Sequence, residues 1–162
     1  MLERALVPLD GSTLAEQILP LVEDLATKLG AEVVLFQAVM TATEALLEAM
    51  PRGTAIGTEA SSVELAQNVA RRRVESERRA AQGYLDSIKA GLEAKGLKVQ
   101  ALVGEGAPAA AILDSAKETD ASFIVMATHG RSGLGRIVFG STADAVLRAS
   151  SLPVFLVRPE SA

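Results

Sequence analysis

Five short runs of nearly continuous apolar residues alternate along the chain with longer stretches in which apolar residues recur at helical spacing. The runs lie at residues 3–9, 32–39, 97–103, 122–128 and 153–158. Their content of Val, Leu, Ile and Phe, without regular polar alternation, is typical of strands buried on both faces of a parallel sheet. The pattern therefore predicts an α/β fold in which helices cover both faces of a five-stranded parallel sheet.

Four helices are predicted between and after these strands. The first follows Ser12 and ends at Gly30, and Pro20 inside it predicts a kink around residues 16–20, because proline lacks a backbone donor. The others are a second helix that turns Tyr84, Leu85, Ile88 and Leu92 inward and ends near Gly96, a third over 109–117 and a fourth over 141–149. Strands and helices thus alternate along most of the chain.

Two segments interrupt this alternation. Residues 41–62 contain Pro51, Gly53 and Gly57, which predicts a flexible insertion that is either a tolerated surface loop or a lid over a functional site. Residues 71–79 read RRRVESERR, and we interpret them as a solvated helix face with ion pairs at i,i+4 rather than as a nucleic-acid-binding segment.

Length and composition exclude several classes of protein. The chain has 162 residues, about one domain, with a net charge of −4 and only 3% aromatic residues, so no broad basic or aromatic surface for nucleic acid is expected. It contains no cysteine, which excludes disulfides and thiolate metal sites. No apolar run approaches the ~20 residues needed to cross a bilayer, and the N-terminus lacks the pattern of a signal peptide. These features predict a cytoplasmic protein without membrane contact.

The densest concentration of glycine, at 126–142, follows the fourth predicted strand and leads into the last helix. Glycine lets backbone N–H groups face a ligand, and a helix that begins at Ser141 adds unpaired amides and a positive dipole end. In open α/β sheets, ligands bind at the carboxyl ends of strands, where this segment can meet the turn at Asp10. The segment is either a phosphate-binding loop or a glycine-rich turn without a ligand.

Two known nucleotide-binding motifs are nearly present. Residues 135–142 fit GxxxxGK[ST] except that Ser141 replaces the lysine, which disfavours a Walker-type NTPase. Residues 104–109 fit GxGxxA, but they follow the third predicted strand rather than the first, and Pro108 removes one backbone donor. We interpret this second match as a tight turn before a helix.

Three side chains of the glycine-rich segment have two interpretations each. His129 is the only histidine, so any His-dependent catalysis rests on it alone, and otherwise it shapes the loop. Arg131 and Arg136 either supply positive charge to a ligand or are solvated. Asp10, at the other side of the predicted site, either contacts a ligand or caps the helix that follows it.

Taken together, these segments resemble the universal stress protein family. The nucleotide-binding loop of that family reads Gly, two residues, Gly, nine residues, Gly, and then Ser or Thr. Gly130, Gly140 and Ser141 fall in register with it, while Ala127 replaces the first glycine. The segments VPLDGS, GAPAAAIL, DASFIVMATHGRSGLGRIVFGSTADAVLRAS and SLPVFLVRP also resemble the family. The resemblance covers nearly the whole chain except 41–80.

The resemblance implies a single doubly wound, Rossmann-like domain over 1–162 with sheet order 3-2-1-4-5. Asp10 would hold ribose or adenine, the backbone near Ala38 and Val39 the adenine edge, and Ala127 the ribose, where its methyl group is an addition to the family pattern. The implied nucleotide-binding residues are Pro8, Asp10, Ala38, Val39, Ala127, His129, Gly130, Arg131, Gly133, Gly140, Ser141 and Thr142.

The implied function is that of a regulatory module in the stress response that binds ATP or AMP, with Mg²⁺ held through the nucleotide phosphates. We expect no catalysis beyond weak ATP hydrolysis. The alternatives are a slow ATPase or phosphotransferase, for which the sequence shows no cationic clamp, and a nucleotide-free homodimeric scaffold. A homodimer is implied through the last strand, 153–158, whose edge would otherwise stay unpaired.

Overall fold

The computed structural model describes residues 1–50, 60–128 and 140–158. Within these ranges one parallel sheet has the strand order β3-β2-β1-β4-β5. Its strands are β1 (Arg4–Pro8), β2 (Glu32–Val39), β3 (Val99–Glu105), β4 (Phe123–Ala127) and β5 (Val154–Val157). The predicted α/β fold and strand order are confirmed, and all five predicted strands lie within two residues of the observed bounds.

The helices of the described residues lie between and after these strands. They are α1 (Thr13–Glu16), α2 (Leu19–Leu29), α3 (Ala42–Ala49), α4 (Ala60–Glu93), α5 (Pro108–Glu118) and α6 (Ser141–Ala149). The predicted helices over 109–117 and 141–149 correspond to α5 and α6. The predicted inward stripe from Tyr84 to Leu92 belongs to α4, a helix of 34 residues.

The helix predicted before Gly30 is divided into α1 and α2, as the proline requires. The hydroxyl of Ser12 accepts from the backbone N–H of Ala15 and caps α1, while Pro20 lies in the first turn of α2, where its missing N–H needs no partner. Between the two helices, Ile18 donates to the carbonyl three residues before it, at 3.4 Å. The predicted kink around 16–20 is confirmed as a break.

The segment predicted as a flexible insertion over 41–62 contains regular structure at both ends. Thr41 and Glu44 form a reciprocal capping box, in which the Thr41 amide donates to the Glu44 carboxylate at 2.7 Å, and α3 follows. The prediction of a loop is therefore wrong for 42–49, which form a helix, and helix α4 begins at Ala60. The rest of the insertion, 51–59, lies outside the described residues.

Alternate residues of the central strands pack into two separate cores. Ala5 and Val7 of β1 face one core, which α2 and α4 cover, and Leu6 faces the other, which α5 and α6 cover. All three side chains are buried. A strand whose successive side chains are all apolar can be buried on both faces, which is why these runs lack polar alternation.

Helix α4 carries most of the charge predicted for a solvated face. Arg79 pairs with Glu75 on the same helix, as the sequence predicts, and Arg78 pairs with Glu105 of β3 at 2.5 Å. Arg73 reaches back to α3 and pairs with Glu48 at 2.7 Å. Among the described residues, no helix combines the length and the apolarity needed to cross a membrane.

Candidate functional site

Strands β1 and β4 separate at their carboxyl ends. Strand β1 pairs with β2 as far as Pro8↔Phe36, but its pairing with β4 ends at Leu6↔Ile124. The backbone N–H of Leu9 donates to the β2 carbonyl of Phe36 at 2.8 Å. Since successive amides of a strand point to opposite neighbours, the nitrogen of Pro8 faces β4 and has no hydrogen to donate. A gap therefore opens between β1 and β4.

A cavity of about 510 Å³ occupies this gap. It lies at the point where the strand order reverses, which is where open α/β sheets bind ligands, and its volume falls within the usual range for ligand pockets. The described residues that line it are Pro8, Leu9, Asp10, Ala15, Phe36, Gln37, Ala38, Glu77, Pro108, Ile112, Met126, Ala127, Gly140, Ser141, Thr142 and Ala143.

Seven of the predicted site residues lie in this lining. They come from four places that are far apart in the sequence: the ends of β1, β2 and β4, and the start of α6. They are Pro8, Asp10, Ala38, Ala127, Gly140, Ser141 and Thr142. The structure thus brings these seven residues together around one cavity.

Asp10 forms a turn at the end of β1 and also lines the cavity. Its Oδ1 atom accepts from both the backbone N–H and the hydroxyl of Ser12, at 2.9 and 2.5 Å. Ser12, not Asp10, caps α1, so the interpretation of Asp10 as the helix cap is wrong. One carboxylate oxygen orders the turn, and the exposed side chain still borders the cavity.

The first turn of α6 forms the opposite wall. Its N-cap residue is Gly140, which provides no side-chain hydrogen bond to the helix. The first amides of a helix have no partner within it and carry the positive end of its dipole. Gly140, Ser141 and Thr142 all border the cavity. This wall can therefore bind an anionic group through backbone N–H groups.

Val39 is not among the described lining residues. Its side chain is buried, and its carbonyl accepts from the backbone N–H of Gly106 at 3.0 Å. Gly106 has φ = +112°, a conformation that favours glycine and ends the third strand in a tight turn. Of the two neighbours predicted to contact adenine, the structure thus brings only Ala38 to the cavity.

The glycine of the near-GxGxxA motif has a packing role. A Cβ atom at Gly104 would lie 2.7 Å from the ring of Phe36, which lines the cavity. Gly104 pairs with Ala38 on β2, so it leaves room for the aromatic ring against the sheet. This finding agrees with the interpretation of 104–109 as a turn before a helix. Packing against Phe36 explains the glycine at position 104, and no bound dinucleotide is needed for that.

Two polar lining residues were missed by the sequence analysis. Gln37 follows Phe36 on β2, and Glu77 reaches the cavity from the long helix α4. A buried oxygen of each side chain, Oε1 of Gln37 and Oε2 of Glu77, has no hydrogen-bond partner among the described residues. The sequence could have indicated Glu77, because this carboxylate lies at helical spacing from the apolar residues that face inward on α4.

The only tyrosine of the chain, Tyr84, packs partly buried against the core from α4. Burial, followed by the negative charge and hydrogen-bonding effect of Glu16, raises the pKa of Tyr84, and Asp10 contributes in the same direction. The phenol therefore stays protonated well beyond neutral pH. It is a neutral neighbour of the acidic β1 turn rather than a source of charge.

The remaining predicted site residues, His129, Gly130, Arg131 and Gly133, lie outside the described residues, as does Arg136. Among the described lining residues the charged side chains are Asp10 and Glu77, both acidic. In the same part of the chain no cluster of three or more His, Cys, Asp or Glu side chains could hold a metal ion.

These features define a doubly wound α/β domain with a ligand-sized cavity at the switch point of its sheet. The model of the universal stress protein family matches residues 1–158. The chain therefore belongs to the universal stress protein family.

Individual relatives agree with this assignment. Universal stress protein MJ0577 of Methanocaldococcus jannaschii is 27% identical over 158 residues, which cover 98% of this chain and 96% of that protein. Its solved structure matches with a TM-score of 0.73 over 100% of this chain and 99% of that one. Universal stress protein MJ0531 of the same organism is 38% identical over 77 residues, so the match spans only 48% of this chain and 45% of MJ0531.

Two more distant structures of the same fold contain nucleotides. A universal stress protein solved in complex with cAMP is 16% identical, with a TM-score of 0.57 over 98% of both chains. The universal stress protein of Archaeoglobus fulgidus in complex with dAMP is 18% identical, with a TM-score of 0.55 over 96% of this chain and 98% of that one. At these identities the likeness shows the fold alone.

Proposed function

We propose that this protein is a cytoplasmic regulatory module of the stress response that binds ATP or AMP in the cavity between β1 and β4. The observation that carries the proposal is that the start of α6, which has no side-chain cap, lines a cavity of about 510 Å³. Backbone amides at a helix N-terminus are a recurrent binding site for phosphate. Occupancy of the cavity would then change the affinity of the protein for its partners.

The lining suggests how the nucleotide lies. Its phosphates would bind the amides from Gly140 to Thr142, its ribose would lie near Ala127 and Asp10, and its adenine would reach the end of β2 at Ala38. Mg²⁺ would be held by the phosphates, since the described residues offer no three-carboxylate cluster for it. That related folds have been solved with cAMP and dAMP supports an adenine nucleotide as the ligand.

A thermal shift tests this proposal. A ligand that binds only the native state at a hundredfold excess over its Kd raises the free energy of unfolding by about 2.7 kcal/mol. For a domain of this size that corresponds to a rise in Tm of about 5–10 °C. We expect such a rise with ATP and Mg²⁺ or with AMP, measured by calorimetry at one protein concentration. A buffer of the same ionic strength and Mg²⁺ concentration without nucleotide is the control for unspecific ionic effects.

The same samples separate the proposal from its alternatives. An unchanged Tm and no heat of binding with either nucleotide would exclude nucleotide binding and leave a nucleotide-free scaffold. Release of inorganic phosphate from bound ATP at many turnovers would instead support an ATPase. Mass spectrometry of small molecules released from the denatured protein identifies the nucleotide that copurifies with it.

We also propose that the protein is a homodimer that pairs through β5. This strand is the edge of the sheet beside β4, and Phe155 on it is 36% exposed although its ring packs edge-to-face on Phe123 with centroids 5.6 Å apart. An unpaired strand edge with apolar side chains favours association unless it is covered. Two copies related by a two-fold axis would cover it in both subunits.

Light scattering tests the dimer. We expect a mass near twice 16.9 kDa at micromolar concentration, and a loss of the dimer with Phe155→Asp or Val157→Lys. Circular dichroism must show that these variants stay folded. A stable wild-type mass near 17 kDa would contradict the proposal.

A further inference from the structure

Helix α4 places a carboxylate where its sequence pattern calls for an apolar residue. Its buried stripe includes Ala70, Ala81, Leu85 and Leu92, each no more than 4% exposed. Glu77 lies seven residues after the first of these and four before the second, so it shares their face of the helix. Leu85 and Leu92 pack in the core with β1 and β2, and Glu77 occupies the position on the stripe that borders the cavity.

The neighbouring arginines do not neutralise this carboxylate. Arg78 pairs with Glu105 of β3, and Arg79 pairs with Glu75 on the outer face of the helix. The Oε2 atom of Glu77 is buried and accepts no hydrogen bond from any described residue. A buried acceptor without a donor destabilises a fold, so such a group is retained where a partner binds it.

A second acceptor lies on the same cavity. Gln37 is on β2, next to Ala38, and its buried Oε1 atom also lacks a donor among the described residues. Helix α4 packs on both β2 and β3. The cavity therefore has two acceptors on the β2 and α4 side, while the donors of the α6 N-terminus lie on the other.

We propose, on the basis of the proposed function, that Glu77 and Gln37 accept hydrogen bonds from uncharged donor groups of the nucleoside, N–H groups of the base or hydroxyls of the sugar. The charge of Glu77 repels phosphate, and the amides of Gly140 to Thr142 attract it. Glu77 thereby determines which end of the nucleotide enters which end of the cavity. It is a residue that governs ligand specificity and orientation.

Glu77→Met tests this inference, because methionine keeps the length and helix propensity of glutamate but has neither charge nor a strong acceptor. We expect the affinity for ATP to fall about tenfold or more, since a hydrogen bond to a charged group is lost. The affinity for tripolyphosphate should stay equal or rise. The unliganded variant should be at least as stable as the wild type, because a carboxylate with one buried, unpaired oxygen is removed. Glu75→Gln, on the outer face of α4, is the control and should leave binding unchanged.

Analogues identify the donor. Purine riboside triphosphate lacks the exocyclic amine, and 2′-deoxy-ATP and 3′-deoxy-ATP each lack one hydroxyl. We expect the wild type to bind at least one of these analogues about tenfold more weakly than ATP. Glu77→Met should bind that analogue and ATP with equal affinity. A response to the first analogue indicates the base, and a response to the deoxy analogues indicates the sugar.

The outcomes separate this inference from the proposed function. If the wild type binds no nucleotide, both proposals fail. If the wild type binds ATP and Glu77→Met binds it equally well, only the role of Glu77 is overturned. The same holds if the substitution lowers the affinity for ATP and for every analogue by one common factor. Should Glu77→Met not fold, Glu77→Leu, which also lacks charge and acceptor and favours helix, replaces it with the same comparisons.

Discussion

Replacement of Gly140 by Asp is expected to lower the affinity for ATP about 100-fold or more without unfolding the protein. Gly140 is the N-cap of α6, with φ = −55° and ψ = 151°, a backbone conformation that residues other than glycine can adopt. Asp is a preferred N-cap residue and interacts favourably with the helix dipole. The same carboxylate would repel a phosphate about 4 Å away by about 4 kcal/mol at an effective dielectric constant of 20.

The matched control is Gly140→Asn, which has nearly the same shape, also caps helices and carries no charge. Titration calorimetry of both variants with ATP and Mg²⁺ gives the effect of the charge alone. The unliganded Asp variant should melt no lower than the Asn variant, which shows that the fold is intact. Equal affinities of the two variants would exclude phosphate binding at the start of α6.

The largest loss of stability is expected from Leu85→Ala, at about 2–5 kcal/mol. Leu85 is fully buried on α4, in the core that this helix shares with β1 and β2. The substitution leaves a cavity, while alanine is at least as good a helix former as leucine, so the change measures packing rather than helix propensity. For a domain of this length the Tm should fall by about 10 °C.

Leu65→Ala is the matched control on the same helix. Leu65 is 65% exposed, so the same substitution should change the free energy of unfolding by no more than about 0.5 kcal/mol. Urea or thermal unfolding of both variants at one protein concentration provides the comparison, because association would make the Tm depend on concentration. A similar cost at the two positions would contradict the buried packing of Leu85.

The half of the candidate site at the start of α6 was predictable, and the reason is local. Glycine at 140 followed by Ser141 and Thr142 at a helix start is a short-range pattern, because the amides it exposes belong to adjacent residues. The turn at Asp10 is equally local, since its carboxylate binds Ser12 two residues away. The remaining half of the site depends on contacts between residues as far apart in the sequence as Gln37 and Glu77, which no spacing rule provides.

Glu77 and Gln37 belong to that second half. Nothing near Glu77 in the sequence distinguishes it from the exposed charges of RRRVESERR, except its phase on the helix relative to Ala81 and Leu85. That phase becomes informative once the length of α4 is known. Helix α3 was missed for a different reason. Thr41 and Glu44 form a recognisable capping box, but the segment that contains them is rich in turn-forming residues, and these led to the prediction of a loop.

By itself the sequence determined the α/β class, the positions of the strands, the break at Pro20 and the resemblance to the family, from which the strand order followed. These properties depend on burial on both faces of each strand and on local backbone chemistry, which apolar runs, proline and glycine encode directly. Only the tertiary structure decided where the sheet opens and which side chains face the opening. Pairing that stops after Leu6 on one side of β1 but continues to Pro8 on the other creates the cavity, and the packing of α4 brings a distant carboxylate to its wall.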